Sequence, residues 1–161
     1  MESRVRALGH PVHPMLVVFP LGLFVTGTIF DLVHLISDNG TFAEVGFWTI
    51  SAGIIGAVLA AATGFADWTG IPPNTRAKRV GLLHGGLNAV VLVLFAIAWL
   101  VRVGNELHAP GAVAFVLEIV AIAVSGAAAW LGGELVDRLG IGVARDAHPD
   151  APSSLSAASP S

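Results

Sequence analysis

The chain has 161 residues, of which 55% are hydrophobic and only 12% are charged, and its formal net charge is −3. Soluble domains carry about 25% charged residues, so this composition excludes an ordinary soluble domain and indicates a membrane protein. The acidic balance and the lack of a long basic stripe argue against nucleic acid as a partner. Because the chain has no cysteine, disulfides and thiolate metal sites are excluded, and any metal would be held by imidazole or oxygen ligands.

Two histidines lie in a proline-rich run near the N-terminus, Gly9-His10-Pro11-Val12-His13-Pro14. Pro14 suits the first position of a helix, and the two prolines disfavour helical backbone at His10 and His13. We therefore expect both imidazoles at a rigid entrance to the first long helix. Imidazole there can serve as a metal or haem ligand.

Four apolar segments have the roughly 20 residues that a helix needs to cross a bilayer core of ~30 Å. They are residues 15–36, 45–67, 80–101 and 112–133. The links between them are short and rich in turn-forming residues, so consecutive helices are expected to run antiparallel. The predicted fold is an all-α integral membrane bundle of four transmembrane helices, in up-down-up-down order, within residues 1–145. Pro20 predicts a kink in the first helix near Leu16.

The basic residues predict the orientation, because Lys and Arg near the ends of spans stay on the cytoplasmic side. Seven of the eight Lys and Arg residues fall on the side of the termini, and only Arg102 falls on the other. Both termini are therefore expected in the cytoplasm. Residues 146–161, rich in Ala, Pro and Ser, are predicted to form a disordered cytoplasmic tail.

Polar residues at membrane depth are costly and usually face the interior of a bundle. In the predicted orientation they form two layers. The inner, cytoplasmic layer contains His10, His13, Asp67, His84 and Asn88, followed by Glu134 and Asp137. The outer layer contains Asp31, His34, Arg102, His108 and Glu118.

The inner layer predicts a metal or haem site with His13 and His84 as ligands. His10 would be a third ligand or a supporting residue, and Asn88 shares a helix face with His84. Asp67 would accept a hydrogen bond from the His84 ring and fix its tautomer. Two trans imidazoles suit haem b, whereas three with an open position suit a transition metal ion. In the structural alternative these residues only cap helices or hold them together.

The outer layer gives a weaker prediction. Asp31 and His34 share a helix face, and Glu118 could join them in a proton path or a second metal site. In the structural alternative Arg102 only neutralises Glu106 or Glu118. Small residues lie around His84, namely Gly81, Gly85 and Gly86. They either allow close packing of the helices or leave space for the face of a porphyrin.

The chain resembles a family of bacterial four-helix inner-membrane proteins, domain of unknown function 2231, over most of its length up to about Val143. The residues that carry the resemblance are Gly9–Pro14, Phe19-Pro20, Phe30-Asp31, Thr63–Asp67, His84 with Asn88, and Gly132–Val136. The resemblance implies multi-pass location in the bacterial inner (cell) membrane. Fusion of some members to Rieske-type ferredoxin domains implies a redox partner. Relatives tend to carry Tyr and His after the last motif, where this chain has Asp137 and Leu139.

Three interpretations of the function remain at this point. The first is a haem- or metal-binding protein in electron transfer or redox sensing. The second is a non-catalytic membrane scaffold or accessory subunit, and the third is a small proton or cation transporter. No hydrolase motif is evident, and whether the protein is an enzyme stays open. The oligomeric state also stays open, with a homo-oligomer as one alternative.

Overall fold

Four long helical stretches make up most of residues 1–156, the part of the chain that the computed structural model describes. The helices are α1 Val12–Leu16, α2 Val18–Ser37, α3 Gly40–Gly70, α4 Arg76–Leu100 and α5 Ala112–Gly133. Two short antiparallel strands, β1 Arg6–Ala7 and β2 His10–Pro11, precede them. A 3₁₀ turn at Glu106–His108 precedes α5, and a π-helical turn at Glu134–Arg138 follows it.

The ends of the long helices are set by polar caps. The Asn39 side chain accepts a hydrogen bond from the Thr41 amide at 3.0 Å, so α3 begins at Gly40, five residues before the predicted apolar segment. Thr75 caps α4 in the same way through the Lys78 amide, at 3.1 Å. Caps satisfy amides that the first helical turn leaves unpaired. Hydropathy gave the approximate position of each helix, and the caps determine where α3 and α4 begin. Helix α5 covers Ala112–Gly133.

The first span is interrupted at Val17, between α1 and α2. Pro20 has no amide hydrogen for the Leu16 carbonyl, which accounts for the predicted kink at this turn. The prediction that the helix begins at Pro14 was wrong, because α1 begins at Val12 and contains His13. Pro14 is tolerated inside this first turn, where a backbone amide would have no partner within the helix.

Helix α3 runs in the opposite direction to the segment that precedes it. Along α3, Gly46 lies against Asp31, Gly53 against Phe24 and Gly64 against His13, so the contacts move backwards along the preceding segment. Close packing of this kind uses small residues where helices have no hydrophobic drive to associate in lipid. Helix α2 packs most closely with α3, and α4 packs most closely with α5.

A small apolar core joins the two helix pairs. It consists of Phe24, Ile50, Val91, Phe95 and Ala121. The rings of Phe24 and Phe95 stack at a centroid distance of 4.0 Å. In the most apolar stretch of each of the four helical spans, only 22–28% is buried within the protein. The large apolar surface that remains is suited to lipid contact.

Residues 146–156 of the predicted disordered tail contain turns and no helix or strand. Ser154 contacts the N-terminal hairpin, where its hydroxyl donates to the Leu8 carbonyl at 3.1 Å. The last five residues of the predicted tail, 157–161, lie outside the described residues.

Candidate functional site

Polar side chains gather at two opposite ends of the bundle. We call the group formed by His13, His84 and Asn88 the histidine end. The group formed by Asp31, Arg102 and Glu118 is called the arginine end. The apolar core lies between the two groups along the chain: Phe24 lies between His13 and Asp31, and Phe95 lies between His84 and Arg102.

At the histidine end, α1 places the His13 ring against α3. The ring nitrogen Nδ1 is 2.9 Å from the Ala60 carbonyl oxygen. A carbonyl only accepts, so Nδ1 carries the hydrogen and Nε2 keeps its lone pair. Gly64 lies directly against the ring, and a methyl group on the Cα atom of Gly64 would be 2.8 Å from His13 Cε1. The absence of a side chain at Gly64 therefore makes room for the imidazole.

His84 makes the equivalent contact in the other helix pair. Its Nδ1 is 2.9 Å from the Ala128 carbonyl oxygen on α5, so this ring also carries its hydrogen on Nδ1. The amide nitrogen Nδ2 of Asn88 donates to the His84 carbonyl at 2.9 Å and lies 3.3 Å from His84 Nε2. Both nitrogens of the His84 ring therefore have a neutral partner.

The two imidazoles approach each other across the bundle. Their ring centroids are 6.3 Å apart, and their planes are nearly perpendicular at 88°. The structure thus brings together His13 and His84 from distant parts of the sequence, as expected from their predicted depth. Their role as ligands stays a prediction.

At the arginine end, three ionisable side chains are completely buried. Arg102 donates from Nη1 to Asp31 Oδ2 at 2.6 Å and from Nη2 to Asp31 Oδ1 at 2.8 Å. Nη1 also lies 3.3 Å from Glu118 Oε1. The bidentate geometry makes Asp31 the principal counter-ion of Arg102.

Backbone carbonyls complete the surroundings of the guanidinium. Arg102 donates from Nη2 to the Ala43 carbonyl at 3.0 Å and from Nε to the His108 carbonyl at 2.8 Å. The His108 ring stacks on Phe47 at a centroid distance of 4.0 Å, and the Arg102 guanidinium lies 5.7 Å from the centre of the Phe47 ring. Gly46 makes room for Asp31, because a methyl group at Gly46 would overlap Asp31 Oδ1.

Residues 9–145 of the chain match the family described as "Predicted membrane protein (DUF2231)". The chain belongs to this family. All residues of the histidine and arginine ends lie inside the matched range, whereas residues 1–8 lie outside it. No match was found among curated proteins or among solved structures. Together with the four helices that are long and apolar enough to span a bilayer, family membership establishes a multi-pass membrane protein.

The prediction for Asp67 was wrong in this DUF2231 member. Its carboxylate accepts from the Ser3 hydroxyl at 2.7 Å and from the backbone amides of Arg4 and Val5 at 2.6 and 3.2 Å. It therefore fastens the N-terminal segment to the end of α3. The hydrogen-bonding partners of the His84 ring are Ala128 and Asn88 instead.

The structure does not bring His10, the possible third ligand or supporting residue, together with His13 and His84. His10 is exposed and its Nδ1 lies 3.2 Å from the Leu8 carbonyl, within the N-terminal hairpin. Within residues 1–156, no three His, Asp or Glu side chains are grouped as a metal ion would require. Among the glycines near His84, Gly81 packs against Trp68, whereas Gly85 and Gly86 are exposed on the helix surface.

Sequence reasoning missed the pairing of Arg102 with Asp31. The structural alternative named Glu118, which Arg102 does contact, and Glu106, which is exposed. Arg102 follows α4 in an apparent surface link, yet the chain folds back so that its side chain points inward. One feature of the sequence indicates this pairing. Asp31 and Glu118 lie in apolar spans and need a positive partner, and Arg102 is the basic residue at the same end of the spans.

The predicted outer group is only partly assembled. Asp31 and Glu118 meet at Arg102. The His34 ring instead lies at the end of α2, where its Nδ1 is 3.1 Å from the Asn39 carbonyl. His34 and His108 are therefore held by different contacts, with Asn39 and Phe47 respectively.

Proposed function

We propose that this protein binds haem b or a single transition metal ion between His13 and His84 and acts in electron transfer or redox sensing. The ligand atoms would be the Nε2 nitrogens of the two rings. When bound, the group would supply a one-electron redox centre. The protein would hold the group at one end of the bundle and fix the orientation of both imidazoles.

One observation carries this proposal. Two imidazoles from different helix pairs both donate Nδ1–H to a backbone carbonyl, Ala60 for His13 and Ala128 for His84, each at 2.9 Å. In metal-bound histidines, the ring nitrogen that does not bind the metal almost always donates a hydrogen bond from its N–H group. This bond fixes the tautomer and raises the basicity of the ligand. The arrangement leaves the Nε2 lone pairs as the ligating positions.

The distance between the rings fits a shared metal atom. Two imidazoles that shared one metal ion through bonds of about 2.0–2.1 Å would have ring centroids no more than roughly 6.5 Å apart. The observed centroid distance is 6.3 Å. Asn88 would have to give up its contact with His84 Nε2, while its 2.9 Å bond to the His84 carbonyl could remain.

We further propose location in the bacterial inner membrane with both termini in the cytoplasm. Seven of the eight Lys and Arg residues lie in the segments next to the histidine end, and this bias favours the cytoplasmic side. A soluble redox partner, such as a Rieske-type ferredoxin, would then exchange electrons at that end. A homo-oligomer is compatible with the apolar surface of the helices.

The test is the absorption spectrum of detergent-solubilised protein, oxidised and reduced, together with elemental analysis. We expect a haem spectrum or a stoichiometric metal, lost in His13→Ala and in His84→Ala. His34→Ala is the matched control, because this ring bonds a carbonyl at the opposite end. His10→Ala should also retain the signal. Protein from iron-replete cells that is colourless and free of metal would overturn the proposal.

A second candidate is a scaffold or accessory subunit. The same two imidazole–carbonyl bonds favour it, because each of them ties neighbouring helices together. In that case His84→Ala lowers the stability of the bundle and changes no spectrum. The two candidates are therefore separated by the same variants.

A further inference from the structure

The arginine end has an unbalanced set of charges. It buries one guanidinium, from Arg102, and two carboxyl groups, from Asp31 and Glu118, with none of the three side chains exposed. If both carboxyl groups were ionised, the cluster would carry a net charge of one negative unit. An uncompensated buried charge is strongly unfavourable in a protein interior and more so inside a membrane.

Among residues 1–156, the carboxyl groups of Asp31 and Glu118 form ion pairs with Arg102 alone. His34, on α2, has its ring nitrogen at the Asn39 carbonyl, and Glu44 and Glu106 are exposed carboxylates. His108 contributes its backbone carbonyl to Arg102 at 2.8 Å, and its ring stacks on Phe47.

The geometry distinguishes the two carboxyl groups. Both oxygens of Asp31 bond the guanidinium, at 2.6 and 2.8 Å, which is the arrangement of an ionised carboxylate. Glu118 reaches Arg102 with only one oxygen, at 3.3 Å. In the part of the chain that the structure describes, its other oxygen, Oε2, is buried and has no hydrogen-bond partner. A charged oxygen without a hydrogen-bond donor costs much more free energy than a neutral carboxyl oxygen without a partner.

We propose that Glu118 is a proton-binding site, whose carboxyl group holds one proton at neutral pH because Asp31 already neutralises Arg102. The proton makes the net charge of the cluster zero. Its release would leave Arg102 to divide its hydrogen bonds between two carboxylates, so occupancy of the site is coupled to the contacts between α2, α5 and the end of α4. This inference is independent of any group bound at the histidine end.

The test is infrared spectroscopy of the protein in lipid bilayers at neutral pH. A protonated carboxylic acid has its own carbonyl stretching band, separate from that of a carboxylate. We expect this band in the unmodified protein, shifted to lower frequency by ¹³C-labelled glutamate and unmoved by ¹³C-labelled aspartate. Absence of the band, or a shift of the band with labelled aspartate, would overturn the proposal. This experiment uses the unmodified protein and does not depend on the folding of a variant.

Two variants sharpen the assignment. Glu118→Gln should abolish the band, whereas the matched control Glu106→Gln should retain it, because Glu106 is exposed. Asp31→Asn should also abolish the band, since Glu118 then becomes the ionised partner of Arg102. A band that survives in Glu118→Gln would contradict the site. A band that survives in Asp31→Asn would contradict its dependence on the Asp31–Arg102 pair.

Discussion

The two ends of the bundle bury polar groups in different ways. At the arginine end, three ionisable side chains with no exposed surface bond one another and backbone carbonyls. At the histidine end, two half-buried rings bond only neutral groups, and His84 Nε2 lies 3.3 Å from the Asn88 amide nitrogen. The first arrangement should contribute mainly to stability. In the second, the bonds between helices use Nδ1 of each ring and not Nε2.

The largest expected effect is the loss of the buried guanidinium. Arg102→Ala leaves Asp31 without its counter-ion, and removing one partner of a buried ion pair costs about 3–5 kcal/mol. The free energy of unfolding in detergent measures this cost. Arg76→Ala is the control, because Arg76 is 55% exposed in its pair with Glu134 and should cost less than about 1 kcal/mol. If the two variants lowered the free energy of unfolding equally, the proposed difference between a buried and an exposed ion pair would be contradicted.

A smaller effect is expected from Gly46→Ala. The added methyl group would overlap Asp31 Oδ1 and approach the Gly27 carbonyl, and such overpacking typically costs about 1–3 kcal/mol. Gly22→Ala serves as the control, because no atom lies within 4 Å of the added methyl group. Since alanine favours helix more than glycine, this variant should be neutral or slightly stabilising. A neutral Gly46→Ala would show that the arginine end is not tightly packed.

The role of Asp67 predicts a local effect. Asp67→Asn weakens the bonds to the Arg4 and Val5 amides, and charge-assisted bonds are worth about 1.5–3 kcal/mol. Hydrogen exchange at these two amides should therefore accelerate roughly tenfold or more. The spectrum or metal content should not change, because Asp67 does not contact His84. A change in the spectrum with unchanged exchange would restore Asp67 to the histidine site. Asp137→Asn, at an exposed position, is the matched control.

The smallest expected effect on stability is at the histidine end. His84→Ala removes the bond to the Ala128 carbonyl, and hydrogen bonds between membrane helices average about 0.6 kcal/mol. The unfolding measurement used for Arg102→Ala gives a direct comparison. If His84→Ala proves as costly as Arg102→Ala, the histidine end is a structural element and the scaffold interpretation is favoured.

The sequence predicted those features that depend on local pattern. Apolar length located the four helices, and the depth of each residue along its span predicted that His13 and His84 would meet. Asp67 could not be placed, because its partners Ser3, Arg4 and Val5 belong to a segment without periodicity. Arg102 was assigned to a surface link because its inward direction depends on the chain turning back after Leu100, which is a tertiary feature. The preference of Arg102 for Asp31 over Glu106 likewise requires coordinates.

The apolar core between the two ends has an electrical consequence. Phe24, Ile50, Val91, Phe95 and Ala121 provide no group that can pass a proton from one end to the other. We therefore expect no proton path through these five residues, so any transfer of protons between the two ends would have to use other parts of the bundle.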